Sequence, residues 1–140
     1  MRSSDTYLNF DGNTMEAFEF YRSVIGGEFE TKLTYAELAG GGWEPPEVDR
    51  GRIGHVSLRL SEATVLMGSD VSSNQSGNFV MGNNVYININ AESEEEARRL
   101  FAGLSAGGKV EIALTTTGWA KLYGSFFDKF GVGWMVNLSE

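Results

Sequence analysis

Polar and aromatic side chains that could contact a ligand recur at alternate positions in two segments of the sequence. Tyr86, Asn88 and Asn90 alternate with isoleucines, so they share one face of a predicted strand. His55 and Ser57 share a face of another predicted strand in the same way. Imidazole and amide groups form hydrogen bonds, and aromatic rings stack on planar molecules. These residues are therefore candidates for ligand binding, with a solvent-facing or purely structural role as the alternative.

Several catalytic chemistries lack the residues that they need. The absence of cysteine excludes disulfides, thiolate metal sites and cysteine nucleophiles, and a single histidine leaves a facial His/carboxylate metal site short of imidazoles. No G-x-S-x-G motif is present, and the glycine runs 26–27 and 40–42 lack the context of a dinucleotide fingerprint or a P-loop. The 19 acidic residues include no distinctive pair for acid–base catalysis. The motifs therefore predict no particular reaction.

The composition predicts a small globular protein with an acidic surface. A chain of 140 residues corresponds to one domain or to two small halves that share a core, and 41% hydrophobic residues suffice for a packed interior. The formal charge of −8 argues against binding to nucleic acid or to anionic membranes. No apolar segment approaches the length of a membrane span, and the first residues lack an apolar signal region. We therefore expect a cytoplasmic protein.

The order of the predicted elements repeats once along the chain. A helix is predicted from Asn13 to Gly26 in the first half and from Ser93 to Gly107 in the second half, and each has an apolar stripe. Asn13 with Glu16, and Ser93 with Glu96, have the spacing of a capping box, and a glycine pair ends each helix. Strands are predicted at 7–10, 29–37, 53–60, 64–67, 85–90, 110–116, 122–127 and 134–138. The sequence thus predicts an α+β fold of two βαβββ modules.

Two segments interrupt this repeat. Residues 39–51 contain three consecutive glycines, Trp43 and both prolines, so we expect a surface loop. Residues 69–84 are rich in Ser, Asn and Gly and predict a mobile lid or a linker. We assign residues 1–70 to the first module, 71–84 to the linker and 85–140 to the second module of a single domain. Edge-to-edge pairing of the modules would form a curved mixed sheet around a central cleft.

These residues resemble the vicinal oxygen chelate superfamily, the glyoxalase/bleomycin-resistance fold, and within it the PhnB-like branch. The matching stretches are 8–13 with 17–21, 54–60 and 65–70. The most specific stretch extends from Trp119 through Tyr123-Gly124 and 128–131 to Trp134, although Lys129 replaces the usual proline. The resemblance covers almost the whole chain and implies the fold rather than a reaction. It also implies a homodimer, in which the loop carrying Trp43 could cover a neighbouring subunit's cleft.

Enzymes of that superfamily bind a divalent metal through His, Gln and Glu from the first and last strands of each half. The resemblance carries these ligand positions onto Thr6 or Leu8, Met67, Tyr86 and Met135. Thioethers do not suit hard divalent cations, and phenol is a rare ligand. We therefore predict no metal and no cofactor.

The primary hypothesis is a metal-free protein that binds a small molecule, and it leaves open whether any reaction is catalysed. Aromatic rings would stack on a planar ligand, His55 and Asn88 would orient it, and the two methionines would form the floor. The predicted ligand-binding residues are His55, Met67, Tyr86, Asn88, Trp119, Tyr123 and Met135. One alternative is a divalent-metal lyase, isomerase or dioxygenase with unusual ligands. Another is an antibiotic-sequestering or structural dimeric module, in which Met67, Met135 and Trp134 fill the pocket as core.

Overall fold

The elements follow the predicted repeat in a computed structural model, which describes residues 1–140. The first half contains β1 (Thr6–Phe10), α1 (Thr14–Ile25), β2 (Glu28–Thr34), α2 (Tyr35–Leu38), β3 (Ile53–Arg59) and β4 (Val65–Asp70). The second half contains β5 (Tyr86–Asn90), α3 (Glu94–Ser105), β6 (Lys109–Thr115), β7 (Leu122–Phe127) and β8 (Gly133–Leu138). Short 3-10 helices span Glu47–Asp49 and Ser76–Asn78. The α+β class and the two βαβββ halves are confirmed, and the chain divides into units Met1–Val80 and Met81–Glu140.

The first unit is a four-stranded mixed sheet in the order β1-β4-β3-β2, with β1 parallel to β4. Helix α1 packs on one face of this sheet through Phe18 and Tyr21, both fully buried. Gly68 of β4 permits this close packing, because a Cβ at that position would lie 2.8 Å from Phe18 Cε1. The core of the unit therefore lies between α1 and this face.

The second unit repeats this architecture in the order β5-β8-β7-β6, with β5 parallel to β8. Helix α3 buries Leu100 and Leu104, and Trp134 and Phe126 are fully buried strand residues. The rings of Phe101 and Phe126 meet edge to face at 5.0 Å. Each unit thus has one sheet face covered by its helix and one face without a helix.

The helix caps differ in part from the prediction. Asn13 precedes α1 but makes no side-chain hydrogen bond to the helix. The buried carboxylate of Asp70 takes its place, because Oδ1 accepts hydrogen bonds from the Gly12 and Thr14 amides and from the Thr14 hydroxyl. The predicted cap at Ser93 is confirmed by its bond from the Glu96 amide. The acidic cap of α1 is therefore supplied by a strand 56 residues away.

Several predicted bounds were wrong. The strand predicted at 29–37 ends at Thr34, because Thr34 begins α2 with a capping box to Glu37. The segment 39–51, expected to lack regular structure, contains a 3-10 helix whose Asp49 is fully buried. The strand predicted to end at Met67 continues to Asp70. None of the helices has the length and apolar character needed to cross a lipid bilayer.

The segment after β4 is held by hydrogen bonds within the first unit. The Ser73 amide and hydroxyl donate to the carboxylate of Asp49, and the Ser76 hydroxyl donates to Asp11 at 2.9 Å. Arg52 donates to Asp11 at 3.0 Å and to the Val71 carbonyl at 2.7 Å. Residues 71–76 are thus anchored to the first unit by charged and polar contacts.

Candidate functional site

The helix-free face of the second sheet collects most of the residues predicted to bind a ligand. The strand register places three rows of side chains across β5, β8 and β7, on the face opposite the buried Trp134. The rows are Tyr86–Gly133–Phe127, Asn88–Met135–Ser125 and Asn90–Asn137–Tyr123. The register thus brings four of the predicted residues, Tyr86, Asn88, Tyr123 and Met135, onto one face.

Tyr86 lies across the sheet rather than pointing away from it. Its hydroxyl donates a 2.6 Å hydrogen bond to Glu111 Oε1 on β6, the far edge of the sheet. Gly133 provides the space for the ring, since a Cβ there would lie 3.0 Å from Tyr86 Cδ2 and 3.1 Å from Phe127 Cε1. The Tyr86 and Phe127 ring centroids are 5.4 Å apart. A glycine in the strand therefore allows a tyrosine to bridge to a carboxylate.

The electrostatics at Tyr86 keep its phenol protonated. The hydrogen bond to Glu111 raises the pKa of Tyr86, and desolvation and the negative charge of that carboxylate act in the same direction. A neutral phenol is an aromatic surface with a polar edge. It is a poor ligand for a metal ion, which would require the phenolate.

Trp119 extends this face beyond the strands. It lies between β6 and β7 and contacts the ring of Tyr123 edge to face at 5.4 Å. The Thr117 hydroxyl accepts hydrogen bonds from the Ala120 and Trp119 amides and so shapes the turn that presents the indole. Because 70% of Trp119 is exposed, its ring is available for stacking.

The middle row contributes polar groups to this face. Asn88 Nδ2 donates to Asn90 Oδ1 at 3.0 Å, which orients the Asn88 amide within the face. Met135 is half-buried beside it, and Ser125 is buried on the neighbouring strand. The arrangement offers an oriented amide beside the thioether of Met135.

The remaining two predicted residues, His55 and Met67, lie in the first unit. Register places Tyr7, Met67 and Ser57 in one row on the face opposite the buried Leu58. His55 Nδ1 and the Tyr7 hydroxyl are hydrogen-bonded at 3.1 Å, with ring centroids 5.6 Å apart. When the phenol donates this bond, the imidazole proton resides on Nε2, which can then donate to a ligand.

Sequence reasoning missed Tyr7 and Glu111 as members of these faces. Tyr7 alternates with Asn9 in β1, which is a signal that could have found it. Glu111 is the extra residue at a bulge in β6, between Val110 and Ile112. Strand alternation does not predict on which face of the sheet the side chain of such a residue lies. Both omissions involve a partner for a residue that was predicted.

The metal-ligand positions implied by the resemblance do not fit a divalent metal. On β1, Thr6 and Leu8 alternate with Tyr7 and share the helix-covered face with the buried Phe10, so neither lies beside Met67. Met67 and Met135 offer thioethers, which hard divalent cations bind poorly. The remaining position, Tyr86, is a protonated phenol whose hydroxyl donates a hydrogen bond to Glu111. The donor set is therefore unsuited to the metal chemistry of the superfamily.

Comparison with known proteins shows the family. Residues 5–136 match the model of the Glyoxalase/Bleomycin resistance protein/Dioxygenase superfamily, and the chain belongs to that superfamily. The crystal structure of protein PA1353 from Pseudomonas aeruginosa has a TM-score of 0.81 and 35% identity, covering 98% of this chain and 97% of that one. The PhnB protein from Bacillus cereus has a TM-score of 0.76 and 28% identity over 96% of this chain and 98% of its own.

A further relative is Protein YjdN of Escherichia coli strain K12. It is 28% identical over 139 residues, which cover 94% of this chain and 92% of the relative. The match over nearly the whole length of these proteins confirms the predicted glyoxalase/bleomycin-resistance fold and the PhnB-like similarity.

Proposed function

We propose that the protein binds a small, flat organic molecule without the help of a metal ion. The observation that carries this proposal is the aromatic surface on the second sheet, where the Tyr86–Phe127 ring pair and the Trp119–Tyr123 ring pair lie on either side of the row that holds Asn88. Aromatic pairs contribute about 0.5–1.5 kcal/mol beyond the area that they bury, so two or three rings supply about 1–4.5 kcal/mol of stacking in addition to the burial of the ligand's apolar surface. The misfit of the metal-ligand positions supports the metal-free part.

The proposed roles follow from position. Trp119 and Tyr123 stack on the ligand, Asn88 accepts or donates a hydrogen bond, and Met135 forms the floor beneath. On the face of the first sheet, His55 with Met67 is a second group proposed to contact a ligand through the imidazole Nε2. These roles require binding and orientation only.

A thermal-shift screen of planar heterocycles tests the proposal, followed by calorimetric titration of each hit. We expect Trp119→Ala to weaken binding about tenfold, because about 1.4 kcal/mol of stacking corresponds to that factor. Trp119→Phe, which retains a ring, is the matched control and should lose much less. Failure of every compound to bind, or equal affinity of wild type and Trp119→Ala, would contradict the proposal.

Metal content provides an independent check of the metal-free part. Purified protein is dialysed and analysed for Mn, Fe, Ni and Zn. We expect less than stoichiometric amounts of each. Stoichiometric metal that survives dialysis and is lost in a Met67→Ala or Tyr86→Phe variant would replace this proposal with the metal-dependent alternative.

We also propose that the chain forms a homodimer. The superfamily resemblance and the loop at 39–51, whose Trp43 is half-exposed, support this proposal. Light scattering at low protein concentration should give twice the chain mass of 15.3 kDa, and a monomer mass would refute it.

A further inference from the structure

Glu111 adds a carboxylate to the aromatic face of the second sheet. The bulge in β6 places it where its Oε1 accepts the hydrogen bond from Tyr86. A carboxylate accepts on two oxygens, so Oε2 retains its capacity for a second partner. None of the ion pairs of the chain includes Glu111. The negative charge is thus held in place by a neutral donor rather than compensated by a basic side chain.

Aromatic rings next to this carboxylate favour positive charge. Aromatic faces attract a cation through their negative quadrupole, and the rings of Tyr86 and Phe127 lie at 5.4 Å from each other beside Glu111. The formal charge of −8 adds a long-range attraction for cations.

Lys109 is a basic residue of the same strand as Glu111. It begins β6, pairs with Phe127 in the register and precedes Glu111 by two residues. Its side chain is exposed and forms no ion pair with Glu111. An incoming cation therefore has to displace water from Glu111 and does not have to break a salt bridge.

We infer that the helix-free face of the second sheet binds a flat organic cation, such as a protonated aromatic amine, with Glu111 as the counter-charge and the neighbouring rings of Tyr86 and Phe127 as the aromatic surface. This inference rests on the proposed function and names the chemical class of its ligand. Tyr86 acts as a positioning residue, because it holds Glu111 Oε1 and contributes its ring to the floor. A neutral ligand would use the rings alone, and an anion would be repelled.

Three probes of nearly the same shape separate these possibilities: the aminoacridine cation, neutral acridine and acridine carboxylate. Their affinities for the full chain are measured by fluorescence titration at neutral pH. We expect the cation to bind about five- to tenfold more tightly than neutral acridine, and the anion to bind most weakly. Glu111→Gln should remove this preference without changing the affinity for acridine, and Tyr86→Phe should reduce it in part.

A matched control distinguishes Glu111 from the overall negative charge. Glu95→Gln removes one charge from an exposed position of helix α3 in the same unit, and it should leave the preference for the cation unchanged. Lys109→Met should strengthen binding of the cation. If Glu95→Gln weakens cation binding as much as Glu111→Gln, or if Glu111→Gln has no effect, the inference is wrong.

The proposed function and this inference fail in different ways. Equal affinities for the three probes, all lowered by Trp119→Ala, would retain ligand binding and refute the cation preference. If neither Trp119→Ala nor Glu111→Gln changes the affinities, both the proposed function and the cation preference are refuted. The circular dichroism spectrum of each variant is compared with that of the wild type, and matching spectra establish that the affinities are those of folded proteins.

Discussion

The carboxylate of Asp70 should contribute far more to the free energy of unfolding than the side chain of Asn13, the residue that precedes α1. Asp70 Oδ1 accepts from the Gly12 and Thr14 amides at 3.1 Å and from the Thr14 hydroxyl at 2.6 Å, and Oδ2 accepts from the Ile53 amide at 2.9 Å. The side chain is 3% exposed, so Asp70→Ala leaves these donors without an acceptor in the interior. The variant tests whether a strand residue caps the helix.

The expected magnitude follows from the number of lost bonds. A buried donor left without its partner costs about 1–3 kcal/mol, and partial entry of water reduces the sum over four bonds. We expect Asp70→Ala to lower the free energy of unfolding by about 3–5 kcal/mol, which corresponds to about 10–17 °C in Tm for a chain of this length. Asp70→Asn keeps an acceptor oxygen at the Oδ1 position but turns an amide NH2, itself a donor, toward the Ile53 amide, so an intermediate loss is expected.

Asn13→Ala is the matched control, because this side chain makes no capping hydrogen bond. We expect a change within about 0.5 kcal/mol, as for other surface substitutions without special contacts. Urea unfolding followed by circular dichroism gives both free energies on one scale. A loss for Asn13→Ala equal to that for Asp70→Ala, or a loss for Asp70→Ala below about 1 kcal/mol, would refute the reasoning.

Three further predictions concern charge and packing. Hydrogen bonds from Arg52 and from the Ser76 hydroxyl lower the pKa of Asp11. The stability that Asp11 adds is therefore present above the ordinary Asp pKa and is lost as the pH falls through the lowered pKa of Asp11. Arg52→Gln should raise the Asp11 pKa in a carboxyl NMR titration. Tyr86 should ionise above the ordinary pKa of tyrosine, because its hydroxyl is hydrogen-bonded to Glu111. The stability that this hydrogen bond adds is present below the ordinary tyrosine pKa and is lost as the pH rises through the raised pKa of Tyr86. Glu111→Gln should lower the Tyr86 pKa in a tyrosinate absorbance titration. Gly68→Ala should cost about 1–3 kcal/mol in urea unfolding, because its Cβ would lie 2.8 Å from a backbone oxygen and from a packed ring.

The regular elements were predictable because their signals are local. The apolar stripe containing Phe18 and Tyr21 and the alternation in 86–90 follow from helix and strand geometry, and both are present in the structure. The cap at Ser93 is also local, since its partner is three residues away. The bound at Thr34 was missed because a capping box with Glu37 interrupts a segment that otherwise has strand character.

The site was predictable only to the level of which residues share a face. Alternation places Tyr86 and Asn88 together, but the partner of Tyr86 is 25 residues away across three strand pairings. The shift of register at Glu111 cannot be read from the alternation of β6. For the same reason Tyr7, 48 residues from His55, was not recognised as its partner.

Order of elements, helix stripes and strand faces were therefore determined by the amino-acid sequence itself, because each depends on a periodicity within a few residues. Tertiary structure decided that Asp70 rather than Asn13 caps α1, and that Glu111 holds Tyr86. Those pairings depend on strand register and on a bulge, which arise from contacts between segments distant in the chain. Local signals thus define the two modules, and long-range pairing defines the chemistry of their faces.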